Sequence, residues 1–388
     1  MLSDRIAQLR PTAVNAVLAE VRKLQAEGRD LVSLMRGEPD LPTPAHIVEA
    51  ATVSLAKGRT GYPDNRGEKN FREAVAARLE RDNQLKFDPV TEILATSGAT
   101  FGIYAALAAL VNPGDEVLVP DPIYDAYQSP VKLAGGEIRP VPAVVAHGRF
   151  ALDVDGLKRA ATQRTRVLIL NTPWNPVGTV LSRKELEAIA EFCLRRNVML
   201  VSDEIYEAIT YEGISHISPL AAAPALRDLY IHTNSLSKTY AMTGWRVGYS
   251  AGPKAVIDAM FMVLAQSSRG PATFVQDAAA AALTGPQDAV SEMVEEYTLR
   301  RERVIAELAG IPGVKVLPPE GGFFAMVDVS GLGRPSNEIR QRLLNDAGVV
   351  VIHGSAYGTS GEGTLRVSFA SGGDNLERGL TRLREGLM

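Results

Sequence analysis

The sequence predicts an α/β fold, a three-layer sandwich with a mainly parallel central sheet, followed by a smaller α+β domain. The middle of the 388-residue chain alternates short apolar runs with helical patterns, which is typical of parallel strands covered by helices. Beyond Pro286 the pattern changes to a long charged helix and then to helix and strand pairs. The chain is also longer than one hydrophobic core usually serves, so we expect two domains.

The predicted strands of the first region are short and buried. In chain order they are "EILAT", "EVLVP", "RVLIL", "VMLVS" and "LYIHT". Helical patterns follow the first and third of them, "TFGIYAALAAL" and "SRKELEAIAEFCLRR". The second of these helices begins at Ser182 with Glu185 three positions later, which is the pattern of a capping box.

These elements place the large domain at residues 47–285. The remaining segments, 1–46 and 286–388, are expected to form the small domain together, because chain ends often lie close to each other. A final strand, "TLRVSFA", is predicted within the second segment.

The composition favours a small molecule as the ligand of this protein over a nucleic acid or a membrane. The formal net charge is -4, which offers no basic surface for a nucleic acid or an anionic membrane. Cys193 is the single cysteine, and metal-binding patterns such as H-E-x-x-H or C-x-x-C do not occur, so we do not expect a metal site. With no secretory pattern and no apolar run of membrane-spanning length, we expect a cytoplasmic protein.

One lysine stands out in the stretch "SLSKTYAMTGWRVGY", residues 235–249. Lys238 lies between two strand-like runs and lacks the acidic neighbours of a solvated helix face. A buried amine is tolerated only with a partner or a chemical task. Ser235, Ser237 and Arg246 lie around it and could bind a phosphate group.

Polar residues follow three other predicted strands. Gly98, Ala99 and Thr100 open a helix whose free backbone N–H groups favour an anion. Asp203, with Tyr206 three residues later, follows "VMLVS", and Asn175 follows "RVLIL". Each feature alone could be a cap or a turn, but ligands of α/β proteins gather at strand ends, so we interpret them together.

The set matches the needs of pyridoxal 5'-phosphate (PLP). This cofactor requires an amine for a Schiff base, a carboxylate for its ring nitrogen, and donors for its phenolic oxygen and phosphate. Lys238, Asp203 and the pair of Asn175 and Tyr206 are candidates for the first three roles.

In these motifs the chain resembles the class I and II aminotransferases, which belong to the PLP-dependent aspartate aminotransferase superfamily. The resemblance extends from "GEPDLPTP" to "TLRVSFA", nearly the whole chain. It implies that Lys238 binds the cofactor covalently, that Asp203 faces the ring nitrogen, and that Tyr206 and Asn175 share the ring oxygen. The implied phosphate contacts are Ala99, Thr100, Ser235, Ser237 and Arg246.

The resemblance also assigns residues outside these strand ends. Tyr124 takes the place of the aromatic residue that stacks on the ring, and Arg366 that of the arginine that binds the substrate's α-carboxylate beside Gly37. Tyr62 resembles the tyrosine that reaches the phosphate from a neighbouring subunit, which implies a homodimer. Arg269, in the connecting loop "QSSRGPATF", is a candidate second cation for a substrate with a carboxylate side chain.

Three positions depart from the family pattern. Val177 replaces a threonine in the N-P-T-G motif, and we expect the turn to survive because Asn175 is kept. His353 stands where the family often has proline, and Tyr357 where it often has phenylalanine, and we expect these two changes to bear on loop shape and substrate preference rather than on the cofactor.

The predicted activity is transfer of an amino group between an L-amino acid and a 2-oxo acid in two half-reactions, possibly with glutamate or aspartate and 2-oxoglutarate. A PLP-dependent β-lyase remains an alternative, because one fold and cofactor support several reactions. A non-catalytic ligand-sensing domain is a further alternative, although no basic DNA-binding extension precedes the predicted domains.

Overall fold

A computed structural model describes residues 3–7, 9 and 11–388. The strands are β1 Val32–Ser33, β2 Ile93–Thr96, β3 Glu116–Asp121, β4 Glu137–Ala146, β5 Arg149–Leu152, β6 Thr165–Asn171, β7 Met199–Asp203, β8 Tyr230–Ser235, β9 Gly248–Ala251, β10 Lys315–Leu317, β11 Phe324–Asp328, β12 Val349–Val350, β13 Ile352–His353 and β14 Thr364–Ser368. The helices are α1 Asp4–Ala7, α2 Ala13–Ala26, α3 Ala45–Ala56, α4 Lys69–Asn83, α5 Ala99–Leu110, α6 Gln128–Leu133, α7 Val154–Ala160, α8 Arg183–Arg196, α9 Pro219–Ala222, α10 Leu236–Thr239, α11 Lys254–Ala265, α12 Thr273–Thr284, α13 Asp288–Leu308, α14 Ser336–Arg342 and α15 Gly373–Leu387.

The central sheet has eight strands in the order β2-β9-β8-β7-β6-β3-β4-β5. Neighbouring strands from β8 to β4 run parallel, while β9 is antiparallel to β2 and β8, and β5 is antiparallel to β4. The prediction of a mainly parallel sheet is therefore confirmed. The five predicted strands correspond to β2, β3, β6, β7 and β8, and the capping box at the start of α8 is present.

Alternate residues of the central strands pack on opposite faces of this sheet. In β6, Val167 and Ile169 belong to a core with α5 and α11, whereas Leu168 and Leu170 belong to a core with α4, α8 and α12. Burial of both faces explains why these strands are continuous apolar runs in the sequence. It also confirms the predicted three-layer arrangement.

The carboxyl ends of β6, β7 and β8 lie side by side. In the strand register Asn171 pairs with Asp203, and Asp203 pairs with Thr233. The segments that follow these strands therefore leave the sheet at one edge, where loops of parallel sheets carry ligand sites.

The two ends of the chain meet beside this edge. β1 pairs in parallel with β12, and a four-stranded antiparallel sheet in the order β10-β11-β14-β13 lies next to them. Buried side chains of α13 and α15 pack on this smaller sheet. In the described residues, no helix is long and apolar enough to cross a membrane.

The close approach of β8, β9 and the start of α5 generates a prediction about Gly248. A Cβ atom at this position would lie 2.6 Å from the Asn234 carbonyl oxygen and 3.1 Å from the Ala99 backbone nitrogen. Both contacts are with backbone, which cannot move aside easily. We expect Gly248→Ala to cost about 1 to 3 kcal/mol of unfolding free energy, as overpacked cores do.

Gly244→Ala is the matched control, because a Cβ atom there meets nothing within 4 Å. Denaturant unfolding of both variants measures the difference. Equal stabilities would contradict the backbone contact.

Candidate active site

A cavity of about 380 Å³ opens at the carboxyl edge of the central sheet. Its lining residues include Gly37, Ala99, Thr100, Tyr124, Tyr127, Asp203, Ser235, Ser237, Lys238 and Arg246. A second cavity of about 1130 Å³ shares Gly37, Thr100 and Tyr124 with the first and adds Asn175, Tyr206 and Arg366. The residues predicted from four separate strand ends are thus brought to one place.

Lys238 reaches into the first cavity from α10. Its Nζ atom donates a hydrogen bond of 2.5 Å to the carbonyl oxygen of Gly37 and lies 5.6 Å from the centre of the Phe323 ring. Burial lowers the pKa of Lys238 to about 8, although the nearby carboxylate of Glu38 opposes this shift. An amine with this pKa is partly neutral close to physiological pH and can act as a base or a nucleophile.

Asp203, the last residue of β7, faces the same cavity and is 2% exposed. Burial raises its pKa to about 6, and a hydrogen bond from Tyr127 acts in the opposite direction. The Tyr127 hydroxyl donates to Oδ2 at 2.5 Å, and the Ile205 backbone N–H donates to Oδ1 at 3.4 Å. This carboxylate has spare acceptor capacity for a cationic ligand atom.

Asn175 and Tyr206 lie together at the larger cavity. The Asn175 Nδ2 atom is 3.4 Å from the Tyr206 hydroxyl, and the Asn175 Oδ1 atom is buried with no hydrogen-bond partner. Asn171 Oδ1 accepts the Asn175 backbone N–H at 2.7 Å and so fixes the turn. Phe323 and Phe324 contact the Tyr206 ring edge to face, which holds the hydroxyl in place.

The predicted phosphate contacts form one wall of the smaller cavity. α5 begins there directly after Gly98, and a Cβ atom on this glycine would lie 2.7 Å from an Arg246 side-chain nitrogen. The guanidinium therefore packs against the helix start, where the φ of 81° at Gly98 favours glycine. Arg246 is also in the left-handed region, with φ of 54°, and it donates to the Thr243 carbonyl oxygen at 3.0 Å.

Arg366 projects from β14 into the larger cavity. It donates to the Met35 carbonyl oxygen at 3.0 Å, and its guanidinium lies 4.2 Å from the centre of the Phe324 ring. The Tyr357 ring is 5.0 Å away. The Nε atom is buried without a partner, so the side chain can still bind an anion.

Tyr62 and Arg269 lie outside both cavities of their own chain. The Tyr62 side chain is 86% exposed, and the Arg269 guanidinium lies 5.2 Å from the centre of its ring. Arg269 is also exposed, with φ of 57°. Their predicted contacts with a neighbouring subunit remain predictions.

Two of the three departures from the family pattern, Val177 and His353, make defined local contacts. Val177 is buried against Phe150 and Trp174, and its turn is closed by a hydrogen bond of 2.7 Å from the Gly178 N–H to the Trp174 carbonyl, as expected. His353 Nδ1 is 2.8 Å from the Ser355 hydroxyl, and burial lowers its pKa.

Sequence reasoning missed Tyr127 and Glu38. Tyr127 lies three residues after Tyr124 in "DPIYDAY", and its hydroxyl contact with Asp203 was not anticipated although the spacing places the two rings 5.2 Å apart. Glu38 follows Gly37 directly, in contact with Arg36 and Thr243. A pattern in the sequence identifies the segment, but the direction of these side chains depends on tertiary contacts.

Comparison with known proteins agrees with this geometry. The family model for aminotransferase class I and II matches residues 29–383. An aspartate aminotransferase of Bacillus sp. (strain YM-2) is 37% identical over 391 residues, covering 99% of this chain and 98% of that protein. Aromatic-amino-acid aminotransferase 2 of Thermococcus litoralis is 39% identical, covering 99% and 97%. The crystal structure of an aspartate aminotransferase from Rhizobium meliloti superimposes with a TM-score of 0.96 at 32% identity, covering 100% and 98%.

The contact between Tyr127 and Asp203 predicts the effect of Tyr127→Phe. Removing a donor from the carboxylate disfavours its charged form, so the pKa of Asp203 should rise by about one unit. The carbonyl stretch of the protonated carboxyl group, identified by its loss in Asp203→Asn, measures this pKa by infrared titration.

Tyr240→Phe is the control, because its hydroxyl donates to Gln287 instead. A fall in the pKa of Asp203 in Tyr127→Phe would exclude the hydroxyl as a stabiliser of the carboxylate.

Proposed function

The chain belongs to the aminotransferase class I and II family, and from that membership we propose the roles of its site residues, its substrate class and its assembly. It is a PLP-dependent aminotransferase that acts on amino acids and 2-oxo acids. The relatives' names favour transamination over the β-lyase alternative. The convergence of Lys238, Asp203 and the phosphate wall on one cavity is the observation that carries the assignment of roles.

The described residues fit PLP. A helix start, two serine hydroxyls and Arg246 form a wall suited to the phosphate, and Asp203 at another wall has free acceptor capacity for the ring nitrogen. The unpartnered Asn175 amide oxygen and the adjacent Tyr206 hydroxyl show that this polar pair can take a further contact. When bound, PLP supplies an aldehyde for the amino group and a ring that withdraws electrons from the substrate's α-carbon.

Lys238 performs two tasks in this proposal. It would hold the cofactor in the resting enzyme, and once the substrate displaces it, its Nζ atom would take the proton from the substrate's α-carbon and deliver it to the cofactor carbon that carries the amino group. With a pKa of about 8, the neutral amine is available close to physiological pH. The Gly37 carbonyl oxygen, 2.5 Å away, orients Nζ at the junction of the two cavities.

In this proposal Arg366 holds the substrate, and Asp203 holds the ring of the cofactor. The guanidinium of Arg366 binds the substrate's α-carboxylate beside Gly37 and Asn175, and the ring of Tyr124 lies between this region and the smaller cavity. Asp203 would stabilise a positive charge on the ring nitrogen of bound PLP. Preorganised charges of this kind stabilise the transition state without further rearrangement.

We propose that residues 47–285 work as the large domain and that 1–46 and 286–388 form the small one. The pairing of β1 with β12 supports this division, because it joins the two chain ends. A homodimer is proposed in which the exposed Tyr62 and Arg269 enter the partner's site. A cytoplasmic location stays a prediction.

Subunit mixing tests the shared site. Lys238→Ala should abolish transamination, because no other described lysine lines the two cavities, and Tyr62→Ala should lower it by weakening the phosphate contact. When the two variants are mixed and allowed to exchange subunits, each heterodimer has one site with an intact lysine and an intact partner tyrosine. Activity should therefore rise above the mean of the two variants measured separately.

The matched control mixes Lys238→Ala with Asp203→Asn, whose lesions lie in the same site of each chain. This mixture yields no site in which both residues are intact, because each chain supplies Lys238 and Asp203 to the same cavity, so its activity should stay at the level of the parents. Recovery in the control, or its absence with Tyr62→Ala, would contradict the assignment.

A substrate with a second carboxylate is proposed on the basis of Arg269. If this residue enters the partner's site, it would contribute a charge-assisted hydrogen bond worth about 1.5 to 3 kcal/mol. Arg269→Ala should then lower kcat/KM for glutamate relative to leucine by about 10- to 150-fold, the ratio that this energy represents.

Arg195→Ala, on an exposed face of α8 beside Glu191, controls for the loss of a surface charge. An unchanged ratio of glutamate to leucine in Arg269→Ala would exclude a role in substrate choice.

A further inference from the structure

A group of buried polar side chains lies behind Asp203, on the other face of the central sheet. Asp203 is the last residue of β7 and Glu204 follows it; Asp203 contacts Tyr127 on one face of the sheet, and Glu204 contacts Tyr230 on the other. We call the group of Arg78, Glu204, Glu207, His216 and His232 the Glu204 cluster. None of these side chains takes part in the proposed reaction.

Glu204 is the centre of the Glu204 cluster and is fully buried. Its carboxylate lies 2.8 Å from His216 Nε2 and 3.3 Å from His232 Nδ1. It also accepts hydrogen bonds from the hydroxyl groups of Ser218 and Tyr230. Burial opposes ionisation of Glu204, but the contacts with the two histidines hold its pKa well below the ordinary value.

The second carboxylate, Glu207, has a cation of its own. Arg78 Nη1 from α4 lies 2.5 Å from Glu207 Oε1, and both side chains are buried. Asn83 Nδ2 donates to Glu207 at 2.7 Å, and Asn234 donates as well. The guanidinium therefore balances one of the two negative charges.

The charge count leaves one negative charge without a balancing group. Two buried carboxylates face one guanidinium, whose Nε atom also lies 3.5 Å from the more exposed Asp82, and a net charge in a buried region is costly. His232 is placed to supply the missing positive charge, because its ring nitrogen lies within 4.8 Å of carboxylate oxygens of both Glu204 and Glu207, whereas His216 contacts Glu204 alone. Such a group could also hold a metal ion, but Arg78 already contacts Glu207.

The surroundings of His232 on each packed element are consistent with a proton on its ring. Tyr249 of β9 stacks on it at 5.8 Å between ring centres, the Tyr230 hydroxyl of its own strand is 3.1 Å from Nδ1, and Glu204 follows β7. Burial and Arg78 oppose the charge. The carboxylates of Glu204 and Glu207 nevertheless raise the pKa of His232.

We propose that His232 carries the proton that balances the Glu204 cluster, and that the resulting imidazolium acts through the sheet to keep Asp203 ionised. His232 is in this sense a positioning residue. The inference rests on the proposed contact of Asp203 with the cofactor's ring nitrogen. The hydrogen bonds to Asp203 come from an uncharged hydroxyl and a backbone amide, so a positive charge behind the strand adds to its stabilisation.

The test compares the affinities of the full-length apoprotein for PLP and for a 1-deaza analogue, in which carbon replaces the ring nitrogen. Only PLP responds to the charge on Asp203, so the ratio of the two dissociation constants should change with pH as Asp203 ionises. His232→Gln leaves the cluster with a net negative charge, and the midpoint of this change should rise by about one pH unit.

The double variant Glu204→Gln/His232→Gln restores charge balance and should return the midpoint to near the wild-type value. A merely structural role predicts the opposite, because the double variant loses more hydrogen bonds than the single one. Tyr230→Phe, which removes a hydrogen bond from Glu204 but no charge, should leave the midpoint in place. A midpoint unchanged in His232→Gln, or shifted equally in the double variant, would overturn the inference.

Two further measurements separate the possible failures. In Asp203→Asn the pH dependence should disappear, and its persistence would refute the proposed role of Asp203 rather than that of His232.

If His232→Gln does not fold, ring-nitrogen NMR of the wild-type protein decides the question. Slightly above neutral pH, one of the five histidines should remain doubly protonated, and its signal should persist in His216→Gln; loss of that signal would assign the proton to His216 and overturn the inference. Five neutral imidazoles would overturn the inference.

Discussion

The parallel register of β6, β7 and β8 is the constraint on which the rest of the site depends. Because Asn171, Asp203 and Thr233 lie side by side, the loops that follow the three strands begin at the same height above the sheet. A shift of one residue in β7 would turn Asp203 toward the opposite face and bring Glu204 into the cavity. The apolar residues on both faces of these strands prevent this shift, since each face is buried by its own layer of helices.

The wall of the cavity that carries the predicted phosphate contacts depends on two residues without side chains, Gly98 and Gly248. Gly98 lets Arg246 lie against the start of α5, and Gly248 lets β9 and β8 approach the backbone of Ala99. The wall therefore consists of main chain and a few polar groups. Fixed backbone N–H groups bind an anion without the entropy cost of ordering long side chains.

The residues that the sequence could identify are those whose local pattern carries the chemistry. Lys238, Asp203 and Asn175 each follow a strong apolar run, so their position at a strand end could be predicted from the chain alone. Helix α8 was predictable for a similar reason, since its capping box is contained within four residues. The antiparallel direction of β9 was not, because strand direction depends on the connection between β8 and β9 and on pairing with β2.

Contacts between distant segments account for what the sequence did not predict. The Tyr127 hydroxyl meets Asp203 across 76 positions, and Asn83 meets Glu207 across 124. No local sequence pattern predicts such pairs, because each of these side chains, taken alone, is also compatible with ordinary packing. The proposed entry of Tyr62 and Arg269 into a partner's site depends on how two copies of the chain pack, which no local pattern in the sequence records.

The short segment from Met35 to Gly37 connects the two ends of the site through its main chain. One of its carbonyl oxygens accepts a hydrogen bond from Arg366, and another accepts one from Lys238. Both cations are thus partly desolvated and held in position before a ligand arrives. If a substrate carboxylate binds Arg366 as proposed, it meets a guanidinium that the Met35 carbonyl already orients, which lowers the reorganisation that binding requires and makes the backbone path of this segment a determinant of affinity.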